Sequence, residues 1–139
     1  MKNSEEGLKK RILDEMTVDI SNALERSFDL ARQFIQLTKN GDVEILVREK
    51  ITGKEELLLY LIGKLYAKEG GLVSTEEVGN EEFLANLGMP IGSLQPWLKS
   101  LRDENIIKQI RREGRVFHVI RINLVERILN EIAKKLEKT

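Results

Sequence analysis

Residues 80–107, NEEFLANLGMPIGSLQPWLKSLRDENII, and the pattern that follows them restrict the fold more than any other part of the 139-residue chain. Asn80 is placed to cap a helix over EEFLANLG, with Glu81 and Glu82 in a first turn where the helix dipole favours anions. Gly88 closes that helix. Leu94, Leu98 and Leu101 then step by four and by three, the spacing of one buried face on a second helix. Beyond it, IIKQIRREGRVFHVIRI reads as two strands joined at Glu113–Gly114, where glycine supplies the positive φ of a tight turn.

Both prolines of the chain lie in this stretch. Pro96 has no amide hydrogen, and inside a helix its ring would crowd the carbonyl of Gly92 at a cost of about 3 kcal/mol. The simplest solution makes Ser93 the N-cap and puts Pro96 in the first turn, where a missing donor is harmless. That leaves a helix of about residues 94–104. The other solution is a helix that begins near Pro90 and bends around Gly92. Trp97 sits beside the core position Leu98 and is expected on the hairpin base or on the preceding helix. An exposed Trp97, stacking on a base or anchoring a partner, is the second reading.

The flanking segments are helical with one short exception. From about Ser4 to Thr38 there is no proline, and Leu13, Met16, Ile20, Ala23, Ser27, Leu30, Phe34 and Leu37 step as a heptad seam. Ile12, Leu24, Phe28 and Ile35 widen the stripe. Thr17–Val18 offers a place to break it into two helices. Such a stripe must be covered, by the rest of the chain or by a second copy. Asn40–Gly41 ends this arm, and DVEILVREK alternates Val43, Ile45 and Val47 inward with Glu44 and Arg48 outward, a strand. Thr52–Gly53 breaks it. KEELLLYLIGKLYAKEG is a strongly apolar helix with a wide buried face, stopped at Gly70–Gly71. An acidic loop follows. After the hairpin, NLVERILNEIAKKLEK is an amphipathic helix with Asn123 as a possible cap. The fold class is therefore mostly α with a small β component. Residues 1–53 form a helical arm and strand, and residues 54–139 a second unit.

Composition narrows the chemistry. No cysteine is present and His118 is the only imidazole, so disulfides, thiolate metal sites and histidine clusters are excluded. The longest apolar run, LLLYLI at 57–62, is far too short for a bilayer, and the N-terminus lacks the layout of a signal peptide. A cytoplasmic protein without a membrane partner is expected. The 33% charged residues and absent cysteine suit a heat-adapted protein. Twenty-three bases balance 23 acids, which argues against nonspecific coating of nucleic acid. Locally the balance breaks. Residues 90–122 carry seven bases and three acids, whereas 69–89 carry five acids and no base.

From residue 54 onward the order helix, helix, helix, hairpin, helix resembles the winged helix-turn-helix superfamily, notably transcription regulators of the MarR and PadR kind. Leu84–Ala85 look like the paired positions of the first motif helix, and Leu87–Gly88–Met89 like its turn. Asn105–Ile106–Ile107 stands where a glycine and two aliphatics usually lead into the wing, and asparagine also tolerates the left-handed conformation. The resemblance covers about residues 54–136. It implies that helix 93–104 faces the major groove of double-stranded DNA and that the hairpin, 106–122, lies beside it as the wing. Ser93, Gln95 and Lys99 would then face DNA, Gln95 with an amide suited to an adenine edge. Pro96 in the same row offers no donor or acceptor.

Arg111, Arg112 and Arg115 around the wing tip are the stronger candidates, for phosphate or the minor groove. The alternative is a hairpin tip charged only for solubility. A lone strand histidine such as His118 reads as structural. Glu76, Glu77, Glu81 and Glu82, near phosphate, would oppose binding. Two functions follow: a homodimeric DNA-binding transcription regulator, paired through Leu13, Met16, Ile20, Leu30, Phe34 and Leu37, or a winged helix serving as a protein–protein module in a larger assembly. No phosphate loop, metal cluster or nucleophile–base pair is visible, so neither an enzyme nor a cofactor is expected.

Overall fold

The computed structural model describes residues 4–17 and 19–137. Its elements run α1 (Ser4–Arg11), a π-helical turn (Ile12–Met16), α2 (Ile20–Arg26), α3 (Phe28–Phe34), β1 (Ile35–Leu37), β2 (Val43–Ile45), α4 (Gly53–Glu69), β3 (Val78–Gly79), α5 (Asn80–Leu87), α6 (Ile91–Asp103), β4 (Ile107–Arg112), β5 (Arg115–Ile120) and α7 (Val125–Glu137). Single 3-10 turns precede α4, at Arg48–Lys50, and α7, at Ile122–Leu124. The chain is thus mostly α with a small antiparallel β component. Among the described residues no helix is long and apolar enough to cross a membrane.

The core is built around α4. Thr52 and Glu55 form a reciprocal capping box at its start: the Glu55 amide donates to Thr52 Oγ1 at 3.2 Å and the Thr52 amide to Glu55 Oε1 at 2.8 Å. Lys135 of α7 donates to the same carboxylate at 2.7 Å, joining the ends of the unit. Every residue from Leu57 to Leu65 is buried, so α4 has neighbours on all sides. These are the β1–β2 hairpin, α6, α7 and β5. Gly63 is required where β2 crosses the helix, because a Cβ there would lie 2.5 Å from Val43 Cγ1.

The first 38 residues do not form one helix. Thr17 is extended (φ −97°, ψ 150°), and Asp19 starts a new helix by accepting from the Asn22 amide at 3.2 Å. Val18, the other half of the suggested break, lies outside the described residues. Ser27 ends α2 and begins α3, and the chain then turns extended at Ile35. Ile35 and Leu37, helical by periodicity, lie in β1, paired Ile35↔Ile45 and Leu37↔Val43. Asn40–Gly41 is the bend of this hairpin and not a helix stop. The strand expected over residues 42–50 survives only as β2, since Arg48–Lys50 coils into the 3-10 turn. Helical spacing and strand alternation both put Ile35 inside, and pairing with β2 on α4 decides between them.

β3, β5 and β4 form the second sheet in that order, all antiparallel, with Val78 opposite His118 and Ile107 opposite Ile120. β3 falls in the expected acidic loop; two residues are too few to show a period. Asn123 caps no helix, for it sits inside the 3-10 turn before α7.

Candidate nucleic-acid interface

The α5–turn–α6 unit is held from below by three leucines. Leu94, Leu98 and Leu101 are buried on one face of α6, as their spacing requires, and Phe83 and Leu87 meet them from α5. Gly88 between the helices is left-handed (φ 63°). The helix starts at Ile91 with Pro90 at its N-cap, so Pro96 lies in its interior. The arrangement with Ser93 as cap and a shortened helix is therefore incorrect. Three leucines must stay in register with the core, which a continuous helix achieves. Gly92 and Pro96 are both exposed, so the hydrogen bond that Pro96 lacks falls on the solvent side of the helix.

Trp97 is half-buried over the start of α4. A Cβ on Gly53 would lie 2.2 Å from Trp97 Cη2, so the indole rests on the bare Cα of that glycine. The contact with Gly53 is one that no local signal in the sequence suggests. Lys54, the next residue, donates to Ser100 Oγ of α6 at 2.8 Å.

On the outward side of α6, Gln95 and Lys99 are exposed and Ser93 is half-buried. Lys99 is engaged by Asp103 one turn later at 2.8 Å, which holds that carboxyl below its usual range. Ile91 is 74% exposed at the start of the helix. The face is thus nearly uncharged.

The β4–β5 hairpin carries the charge. Asn105 is left-handed (φ 60°), and β4 and β5 are closed by Glu113 (φ 51°) and Gly114 (φ 77°), with Arg112 opposite Arg115. Positive φ at both central residues is the twist-matched hairpin turn, reached here with glutamate in the first position. Arg111, Arg112 and Arg115 are all exposed. Among the described residues Arg111 and Arg115 make no salt bridge, whereas Arg112 is clamped by Glu77. Its Nε donates to both carboxylate oxygens at 2.8 and 3.0 Å, and its Nη2 to one of them at 2.7 Å. The pairing pushes Glu77 down and Arg112 up in pKa.

The acidic segment before α5 is largely neutralised from within. Glu76 pairs with Lys68 at 2.8 Å, and Glu82 with Lys64 at 3.1 Å and with the Tyr60 hydroxyl at 2.6 Å. Asn80 does not cap α5, since Gly79 holds that position. Its Oδ1 instead lies 2.8 Å from Nε2 of the buried His118. Burial, and after it the charge of Arg102, pushes His118 down to about 4. Glu77 and Asn80 are the residues whose partners sequence reasoning missed. Each acts across the sheet, 35 and 38 positions from its partner, with no local signal.

The six residues of the suggested dimer seam divide. Phe34 is buried and Leu30 and Leu37 are half-buried in the chain's own core; Leu13, Met16 and Ile20 are exposed. Among the described residues no cluster of acids and histidine is grouped to hold a metal ion. No family model, curated protein or solved structure matches the chain.

Proposed function

We propose that the chain is a winged-helix protein that binds duplex DNA as a homodimeric, non-enzymatic transcription regulator. The observation that carries this reading is the strand order β3-β5-β4 behind α5, a glycine turn and α6, with Arg111 and Arg115 uncommitted at the tip of the β4–β5 hairpin. In such a unit α6 lies toward the major groove and the hairpin beside it. With only Gln95, Ser93 and the partly engaged Lys99 on its outer face, α6 supplies position more than charge. Phosphate attraction then falls on the wing.

The test is binding to mixed-sequence duplex DNA across a salt titration, with Arg111, Arg112 and Arg115 replaced by alanine. The expected slope of log affinity against log salt is steep in wild type. In the variant it becomes shallower by about one unit for each phosphate that an arginine no longer neutralises. Wild type that fails to bind at low salt, or a triple variant indistinguishable from it, sinks the proposal. A second reading, a winged helix used for protein assembly, draws on Ile91, 74% exposed between Pro90 and the Pro96 turn on a face almost without charge. DNA-silent wild type together with loss of a co-purifying partner in Ile91→Asp would favour it.

A further inference from the structure

The arm leaves two apolar features uncovered on the same chain. Leu8, Ile12, Leu13, Met16 and Ile20 are all exposed, Met16 to 78%. A two-turn helix with its π-turn is too short to persist in water on propensity alone, so its stripe calls for a neighbour. The other feature is a groove formed by two adjoining depressions of about 560 and about 360 Å³ that share Phe28 and Tyr66. Its apolar lining includes Leu24, Phe28, Ile35, Leu37, Tyr66 and Leu72.

The charges around the two match. Glu25 and Glu69 line one end of the groove, both exposed, and Asp29 beside them is paired at 3.5 Å with Arg32, which lines the other depression. Lys9 and Lys10 lie in the last turn of α1, where the stripe begins, and Arg11 beside them is paired with Glu15 of the same arm at 3.1 Å. Residues 6–17 are exposed throughout, so the chain's own groove is open while its own arm is folded as a helix.

We infer that the groove receives the arm of a second copy of this chain, so that two protomers exchange arms about a two-fold axis. The stripe of each arm covers the other's Phe28 and Tyr66, and its basic turn meets the other's acidic rim. Every contact occurs twice, as a symmetric pair requires. The inference rests on the homodimeric part of the function proposed above and is independent of DNA binding.

Charge reversal tests it on the full chain by sedimentation velocity at micromolar concentration. One variant is Lys9→Glu, Lys10→Glu, Arg11→Glu; the other is Glu25→Lys, Asp29→Lys, Glu69→Lys. All six side chains are exposed, and circular dichroism checks that both variants fold. Each alone is expected to weaken the dimer about a hundredfold, because like charges then face each other. Mixed in equal amounts they are expected to sediment as a dimer again, since each arm finds a groove of opposite sign. A mixture that stays monomeric overturns arm exchange. If either variant, or Met16→Glu, dimerises as tightly as wild type, the arm is not the interface, and the homodimer survives with another face. A monomeric wild type removes both.

Discussion

Arg112 of the β4–β5 hairpin and Glu77 before β3 hold each other through three hydrogen bonds of 2.7 to 3.0 Å. One of three arginines at the hairpin tip is therefore neutralised inside the protein, and the acidic segment restrains the hairpin. Under the proposed DNA-binding function, releasing Arg112 should increase its availability to phosphate. In Glu77→Gln the salt slope of duplex binding is expected to steepen by about one unit. A slope unchanged from wild type would mean that Arg112 makes no phosphate contact even when free.

Pro96 lies inside α6 on its exposed side. Pro96→Ala restores the amide that can bond the Gly92 carbonyl and is expected to stabilise the protein by about 1–3 kcal/mol. Part of that gain is offset by the greater freedom of the unfolded chain. Chemical denaturation reads the difference, and a destabilised variant would show that the proline is seated against something.

The fold's division into expected and unexpected parts follows the range of each signal. Leu94, Leu98 and Leu101, the left-handed Asn105 and the hairpin at Glu113–Gly114 were legible because each depends on residues a few positions apart. The fate of Ile35 and Leu37 was not, since their burial satisfies a helix and a strand equally. The hairpin arginines were legible as candidates. Which of them is free was not.

Gly53 and Gly92 should respond oppositely to the same change. A Cβ at Gly53 would lie 2.2 to 2.8 Å from three atoms of the Trp97 ring, whereas at Gly92 it meets nothing within 4 Å. Gly53→Ala is expected to cost about 1–3 kcal/mol and to alter Trp97 fluorescence as the indole is displaced. Gly92→Ala, at an exposed helical site, is expected to gain about 0.5–1 kcal/mol. Equal effects at both would contradict the packing of Trp97 on Gly53.

His118 makes stability depend on pH. Its folded-state value is about 4, below the ordinary 6.5, so the unfolded chain takes up a proton that the folded chain refuses. The contribution is fully present above pH 6.5 and is lost as pH falls toward 4. At about 1.4 kcal/mol per pH unit between 6.5 and about 4, the loss is at most about 3–4 kcal/mol. Denaturation of wild type and His118→Gln at pH 7 and pH 5 should show a smaller drop in the variant, whose amide can still meet Asn80. Equal drops would assign the pH dependence to the carboxylates held low by cationic partners, Glu55, Glu77 and Asp103.

By itself the sequence determined the buried face of α6, the tight turn at Glu113–Gly114 and an asparagine at 105 that accepts the left-handed conformation, because backbone geometry imposes those over one or two turns of chain. It also determined that charge concentrates beside the hairpin. Tertiary structure alone decided that Glu77 occupies Arg112, that Asn80 serves His118 and not a helix, and that Trp97 rests on Gly53. It likewise divided the N-terminal stripe into a buried half and an exposed one. Each of those outcomes depends on the separation of groups dozens of residues apart. Ion pairing and close packing act only at short range, and chain order does not encode which distant groups come that near.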